Sequence, residues 1–187
     1  MAILGLDEVY HRIKRENLIE NLSRRELNQP EGVGIDLRLG AVYKIISGGA
    51  FIEADHEKIL GKRKGVKTQL IAEYKKGKIK EVTIEPGEYY LVKTIEIVNT
   101  PVDLMPIVYG RTSLSKCGLF LFATKTDPGF RGFFTFGLYN FSKFPVRFQL
   151  GARICNIIFH TIEGETVKYR GQHQGGRISI EEEERQV

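Results

Sequence analysis

At 187 residues, with 42% hydrophobic and 27% charged side chains, the chain has the make-up of one soluble globular domain that buries roughly 70% of its unfolded surface. No apolar run approaches the roughly 18 residues of a membrane-spanning helix. Asp7 and Glu8 interrupt the stretch where a signal peptide needs an unbroken apolar core, so a cytoplasmic protein without membrane contact is expected. The net charge of +5 does not mark a nucleic-acid binder, because nine Lys/Arg and one acid, Glu73, fall within residues 58–80, a local +8 that leaves −3 for the rest. No nucleic-acid-binding motif or interleaved aromatic platform accompanies that excess, so it is read as a solvated hairpin or loop.

In chain order, Val9, Ile13, Leu18 and Leu22 recur near helical spacing, predicting one or two short helices over residues 6–25. Asn28, Pro30 and Gly32 break that pattern. Almost everything beyond reads as strand. Residues 35–39 and 82–84 alternate, and residues 89–98 are rich in β-branched and aromatic side chains. Gly48-Gly49, Pro86-Gly87, Pro101, Pro128-Gly129 and Gly151 punctuate these runs. Many short strands after a single helical stretch predict a mainly β fold, a distorted barrel or jelly roll. No internal repeat or linker divides the chain, so residues 1–176 form one domain and residues 177–187, with acids at 181–184, a solvated tail. Cys117 and Cys155 lack metal-ligand spacing and are expected to be reduced thiols.

Three segments hold residues with chemical reach. Gly110 is followed by Arg111, Thr112, Ser113 and Lys116. A guanidinium fork, two hydroxyls and an ammonium are suited to a triphosphate, which carries about four charges; the same Ser and Thr would also serve as a helix N-cap. Asp127 is the only acid between Tyr109 and Asn140, in a Pro-Gly turn with Phe130 three residues on. Such an Asp is a common turn former, and equally a group that can take a proton from water. Towards the C-terminus, Lys168, Tyr169, Gln172 and Gln174 lie in a Gly-rich stretch that reads as a mobile terminus, or as one ordered by a ligand.

Residues 109–140 resemble the dCTP deaminase/dUTPase superfamily, whose members carry Gly-Arg-Ser/Thr-Ser-Leu, then Asp-Pro-Gly with an aromatic, then a strand ending in Asn. Gly34, Asp36, Arg38 and Gly40 fit a further segment of that pattern, as do Gly151, Arg153, Ile154 and Phe159, with Asn156 standing for the usual Gln. Lys168, Tyr169, Gly171 and Gln172 match a segment that folds over nucleotide. The resemblance implies a dUTPase-like β-clip fold and a homotrimer with sites between subunits. In that reading Asp127 activates water, and Arg111, Thr112, Ser113, Lys116, Asn156, Lys168 and Gln172 hold phosphates, with Asp36 supporting them. Phe130 packs on deoxyribose, Thr135 and Gly137 read the pyrimidine edge, and Tyr169 and Gln174 close over the ligand. Mg²⁺ is implied on the phosphates, without protein ligands.

The superfamily's deaminases carry a Glu three residues before the strand-ending Asn, where this chain has Gly137, and a His-Arg-like pair before the Asp-Pro-Gly turn that is missing here. The expectation is therefore a dUTP diphosphatase forming dUMP and pyrophosphate, with dCTP deamination disfavoured. A dCTP deaminase, monofunctional or dUMP-forming, and a non-catalytic nucleotide-binding regulator remain as alternatives.

Overall fold

Helix α1 (Leu6–Glu16) forms where apolar residues recur at helical spacing, with Asp7 and Glu8 in its first turn and Lys14 and Arg15 in its last. These charges complement the helix dipole at both ends. The helix stops where Asn17 turns left-handed at φ 53°, and it buries Val9 in the core. Strand β1 (Ile19–Glu20) and helix α2 (Arg24–Asn28) follow. Ser23 caps α2 by accepting a hydrogen bond from the Glu26 N–H. The structure is a computed structural model that describes residues 2–57 and 59–185; Lys58 of the basic segment and residues 186 and 187 of the tail lie outside it.

The remaining elements are β2 (Ile35–Ser47), β3 (Phe51–Ile52), β4 (Lys62–Lys64), β5 (Lys67–Glu73), β6 (Glu81–Ile84), β7 (Tyr89–Asn99), β8 (Leu104–Gly110), α3 (Thr112–Lys116), β9 (Leu119–Phe122), β10 (Arg131–Asn140), β11 (Val146–Gln149), β12 (Arg153–Thr161) and β13 (Glu184–Arg185). The main sheet is antiparallel in the order β8-β12-β2-β7-β10-β9, with β1 on β7 and β5 on β2. A bridge between Ile107 and Lys125 brings the chain beyond β9 back to β8. The sheet thereby curls into a nearly closed, distorted barrel, the mainly β fold that turn spacing predicts. Small sheets β11-β6 and β13-β4-β3 flank it.

Alternation fixes which side of each strand faces inward. In β7 every second residue is buried, from Tyr90 through Val98. Leu37, Leu39, Leu138, Ile157 and Phe159 meet them in the core. Two inward positions of β7 are polar, Thr94 and Glu96, and both are fully buried. The Glu96 carboxylate accepts from the Arg38 backbone N–H at 2.8 Å and from its Nε at 2.6 Å. Burial raises the Glu96 pKa, and Arg38 opposes that shift.

The basic segment is not one solvated hairpin. Its strands divide between the small sheet (β4) and the main sheet (β5), and Lys75 and Lys78 close a tight turn. The acidic tail, expected to be solvated, is paired with this segment. Lys62 Nζ lies 2.6 Å from Glu183, the Thr68 N–H and hydroxyl donate to Glu181 at 2.9 and 3.0 Å, and β13 pairs with β4. Opposite charges more than a hundred residues apart in sequence meet across one surface, which a charge count along the chain does not reveal.

Removing one partner of a buried ion pair leaves an uncompensated charge, at a cost of roughly 3–5 kcal/mol. Glu96→Ala should therefore destabilise the fold by about that amount, read as a lowered denaturation midpoint with an unchanged denaturant slope. A loss below about 1 kcal/mol would show that Arg38 regains solvent without strain.

Candidate active site

Two polar clusters are built on this barrel, and the fold keeps them apart. The first centres on Asp36 of β2, which is only 5% exposed. Its Oδ2 accepts from Arg111 Nη1 and, at 2.8 Å, from Arg153 Nη1, while Oδ1 accepts from Asn156 Nδ2 at 3.0 Å. The three donors converge because β12 lies between β2 and β8, setting Asn156 opposite both Asp36 and Tyr109. Arg111 then ends the run from β8 and begins α3, on whose surface Thr112, Ser113 and Lys116 are exposed. Arg111 and Arg153 share this carboxylate, and Arg25, paired with Glu26, lies 3.9 Å from it, so the cluster keeps a positive excess and unspent N–H donors. Asn156, expected on a phosphate, spends its amide on Asp36, which makes it part of the support for the two arginines.

The second cluster is a cavity of about 280 Å³ beside β10. Asp127 is the only carboxylate lining it, and it is partly exposed and paired with Lys125. The turn that carries Asp127 is tied at both sides: Thr126 N–H donates to Pro106 O at 2.9 Å and Gly129 N–H to Thr100 O at 3.0 Å. Phe130 is 7% exposed; its ring stacks on Phe134 at 5.6 Å and meets Tyr169 edge-on at 5.9 Å. It forms a rigid wall between core and cavity. Thr135, Phe136 and His173 complete much of the lining. Burial, then the positive charges of Arg177 and Arg63, lower the pKa of His173, which favours its neutral form.

Residues 168–177 lie across β10 as a cover. Tyr169 N–H donates to Pro128 O at 2.7 Å, Gly175 N–H to Arg131 O at 2.8 Å, and Thr135 Oγ1 to Arg177 O at 3.3 Å. The approach is main chain against main chain: a Cβ on Gly132 would lie 2.4 Å from Gly175 C, and one on Gly176 2.2 Å from Phe133 O. Gln174 bridges Arg131 N–H and Gly129 O, and Gln172 donates to Arg185 O. Lys168 rests against Gly129. Both glutamine side chains are thus engaged in holding the cover down. Of the expected site residues, the cavity gathers Asp127, Phe130, Thr135 and Tyr169, while Asp36, Arg111, Thr112, Ser113, Lys116, Gly137, Asn156, Lys168, Gln172 and Gln174 lie outside its lining.

Gly137 sits on β10 opposite Phe122 of β9 and Leu91 of β7. Its missing side chain does not leave a void. A Cβ there would fall 1.9 Å from the hydroxyl oxygen of Tyr89, which pairs with Tyr139 one step along the strand and reaches diagonally to residue 137. Sequence reading named Arg153 within a motif but gave it no role, and it missed Tyr89 and His173. The places of Tyr89 and Arg153 were discoverable only through strand register, which brings them to residues named for other reasons.

A family model for dCTP deaminase-like proteins matches residues 3–162, and the chain belongs to that family. The dCTP deaminase of Pyrococcus furiosus is 36% identical over 165 residues, 88% of each chain. The dUMP-forming dCTP deaminase of Leptospira biflexa is 38% identical over 97 residues, 50% of this chain and 54% of that protein; the chain thus spans about half the length of the first curated relatives it matches. The crystal structure of the dCTP deaminase from Agrobacterium tumefaciens has the same fold, with a TM-score of 0.60 at 17% identity over 85% of this chain and 48% of that one. These relatives overturn the expectation of a dUTP diphosphatase in which deamination is disfavoured. That expectation rested on side chains missing at Gly137 and before Asp127, yet the space at residue 137 holds a phenol from the neighbouring strand.

The ionic contacts of the tail hold the far end of the cover, with Arg177 Nη2 2.6 Å from Glu184. Glu183→Gln with Glu184→Gln should speed amide hydrogen exchange over residues 168–177 roughly two- to fivefold at low salt, as exposed pairs do. The difference from the unaltered protein should shrink at high salt. Equal exchange at low salt would place the hold in the β13–β4 backbone pairing alone.

Proposed function

We propose that this chain deaminates dCTP hydrolytically to a uridine nucleotide, working as a homotrimer whose sites join two subunits. The carrying observation is the match to a dCTP deaminase along 88% of both chains. The geometry supports it with a cavity of aromatic walls and one carboxylate. In the reaction, water adds to C4 of the cytosine ring. The C4–N4 bond then breaks, ammonia leaves, and the oxygen stays as the 4-oxo group. Both protons of the water move: one goes to N3, where it stays in the product, and the other leaves the C4 hydroxyl for the departing amine; Asp127, as the only carboxylate of the lining, is assigned these transfers. Phe130 and Phe134 keep the reacting face dry.

The triphosphate requires cations that the cavity by itself does not supply. Arg111 and Arg153, held by Asp36, together with Thr112, Ser113 and Lys116, form a donor surface that a neighbouring copy can present to the same nucleotide. Mg²⁺ is proposed to travel with the phosphates and lower their charge. Among the described residues no three His, Cys, Asp or Glu side chains gather to ligate an ion.

Incubation of the purified protein with dCTP should release ammonia together with dUTP or dUMP, and the absence of both ammonia and uridine product would refute deamination. Asp127→Asn should slow release by about 10²–10⁴-fold, while the melting temperature changes little because its side chain is exposed in part. A mixture of Asp127→Asn and Arg111→Ala subunits, exchanged through mild denaturation, should recover activity that neither variant shows alone. Lack of recovery in a verified mixed trimer would mean that each site belongs to one subunit.

A further inference from the structure

Tyr89 is a polar group on the outward face shared by β7 and β10, beyond the residues that line the cavity, and nothing above has given it a role. It begins β7, is 40% exposed, and forms no hydrogen bond among the described residues through its hydroxyl. Its oxygen overlaps the place of a Cβ on Gly137 and its ring carbons lie 2.5 and 2.8 Å from that place, so glycine at 137 is the condition for the phenol to stand there. Gly137 lies two residues beyond Thr135 on the same face of β10, roughly 7 Å along the strand. Thr135 lines the cavity. On the other side the Tyr89 ring meets Phe122 at 5.8 Å. Phe122 ends β9, and the chain runs from there into Thr124 and Lys125 of the cavity wall. The phenol therefore stands at the margin framed by β9 and β10, with an uncommitted hydroxyl.

We infer that Tyr89 is a base-binding residue whose hydroxyl hydrogen-bonds the N3–C4 edge of the pyrimidine in place of a side chain at residue 137. The inference rests on the reading of the cavity as a pyrimidine nucleotide site. A phenol suits that edge because it can donate to N3 of cytosine or to the 4-oxo group of uracil, and can accept from the 4-amino group. Substrate and product are then held by the same oxygen through a rotation of its O–H. Burial raises the pKa of Tyr89, which keeps it a donor at neutral pH, so it positions the ring without acting as a base. The close approach also couples the two positions: any side chain at residue 137 must displace Tyr89.

The test is binding of non-hydrolysable α,β-imido dCTP and α,β-imido dUTP to the full-length protein, by calorimetry. Tyr89→Phe should weaken both about three- to tenfold, the range of one neutral hydrogen bond. Binding of inorganic tripolyphosphate should be unchanged, which places the loss at the base rather than in the fold. Gly137→Ala should weaken both nucleotides by at least as much, and the double variant no further than Gly137→Ala alone, because the Ala already displaces the ring. Nucleotide binding by Tyr89→Phe within twofold of the unaltered protein would overturn the inference, as would a parallel loss of tripolyphosphate binding. The two readings fail separately. Wild-type protein that binds the analogues but releases no ammonia from dCTP refutes deamination and leaves the Tyr89 comparison valid. Wild-type protein that binds neither analogue overturns the inference directly.

Discussion

One buried carboxylate organises the arginine-rich side of the molecule. Asp36 holds two arginines and an asparagine drawn from the end of β8 and from β12. Two guanidiniums brought this close would repel each other; the charge between them lets both point the same way. The carboxylate pays for its own burial through three donors, and the arginines are left oriented with donors to spare. The strand order β8-β12-β2 makes this possible, since only the middle strand can offer residues to both neighbours. The position of α3 and its hydroxyls follows from where Arg111 is held.

Strand β10 plays the matching part for the cavity. Its inward residues Phe134, Phe136 and Leu138 are core, while its outward face carries Thr135 and the backbone on which the cover rests. The aromatic wall is thus continuous with the hydrophobic interior: Phe130 is buried and stacks on Phe134, and both belong to the core cluster. A wall anchored in this way cannot move aside for a ligand, so its selectivity is one of shape. The cover is held differently, by an ionic outer anchor and an inner set of main-chain hydrogen bonds.

The fold was legible from the sequence because its determinants are local. Alternation in β7, glycines and prolines at the turns, and charges placed along α1 each act within a few residues. Asp127, Phe130 and Thr135 were legible as a group for the same reason, lying on one turn and the strand that follows it. What escaped were relations set by register between distant strands. The sequence identifies Asn156 and Asp36 but not that one binds the other. It shows Gly137 as a missing side chain, though Tyr89, forty-eight positions earlier, fills the same space. Absences read at residue 137 and before Asp127 led to an expectation that the curated relatives overturn. The acidic tail and the basic segment were likewise each read correctly for charge but not as partners, because their contact spans more than a hundred residues.

The seam between the cover and β10 is made of peptide groups facing peptide groups, with glycines at 132, 175 and 176 where the chains come closest. Such a seam holds through atoms that every amino acid shares. Its grip is indifferent to the identity of most other side chains along it, provided the glycines and the two bridging glutamines stay. Residues such as Arg170 and His173 are therefore open to replacement without unfastening the cover, which makes this stretch a natural place for evolution, or a protein engineer, to adjust the shape and charge of the pocket mouth.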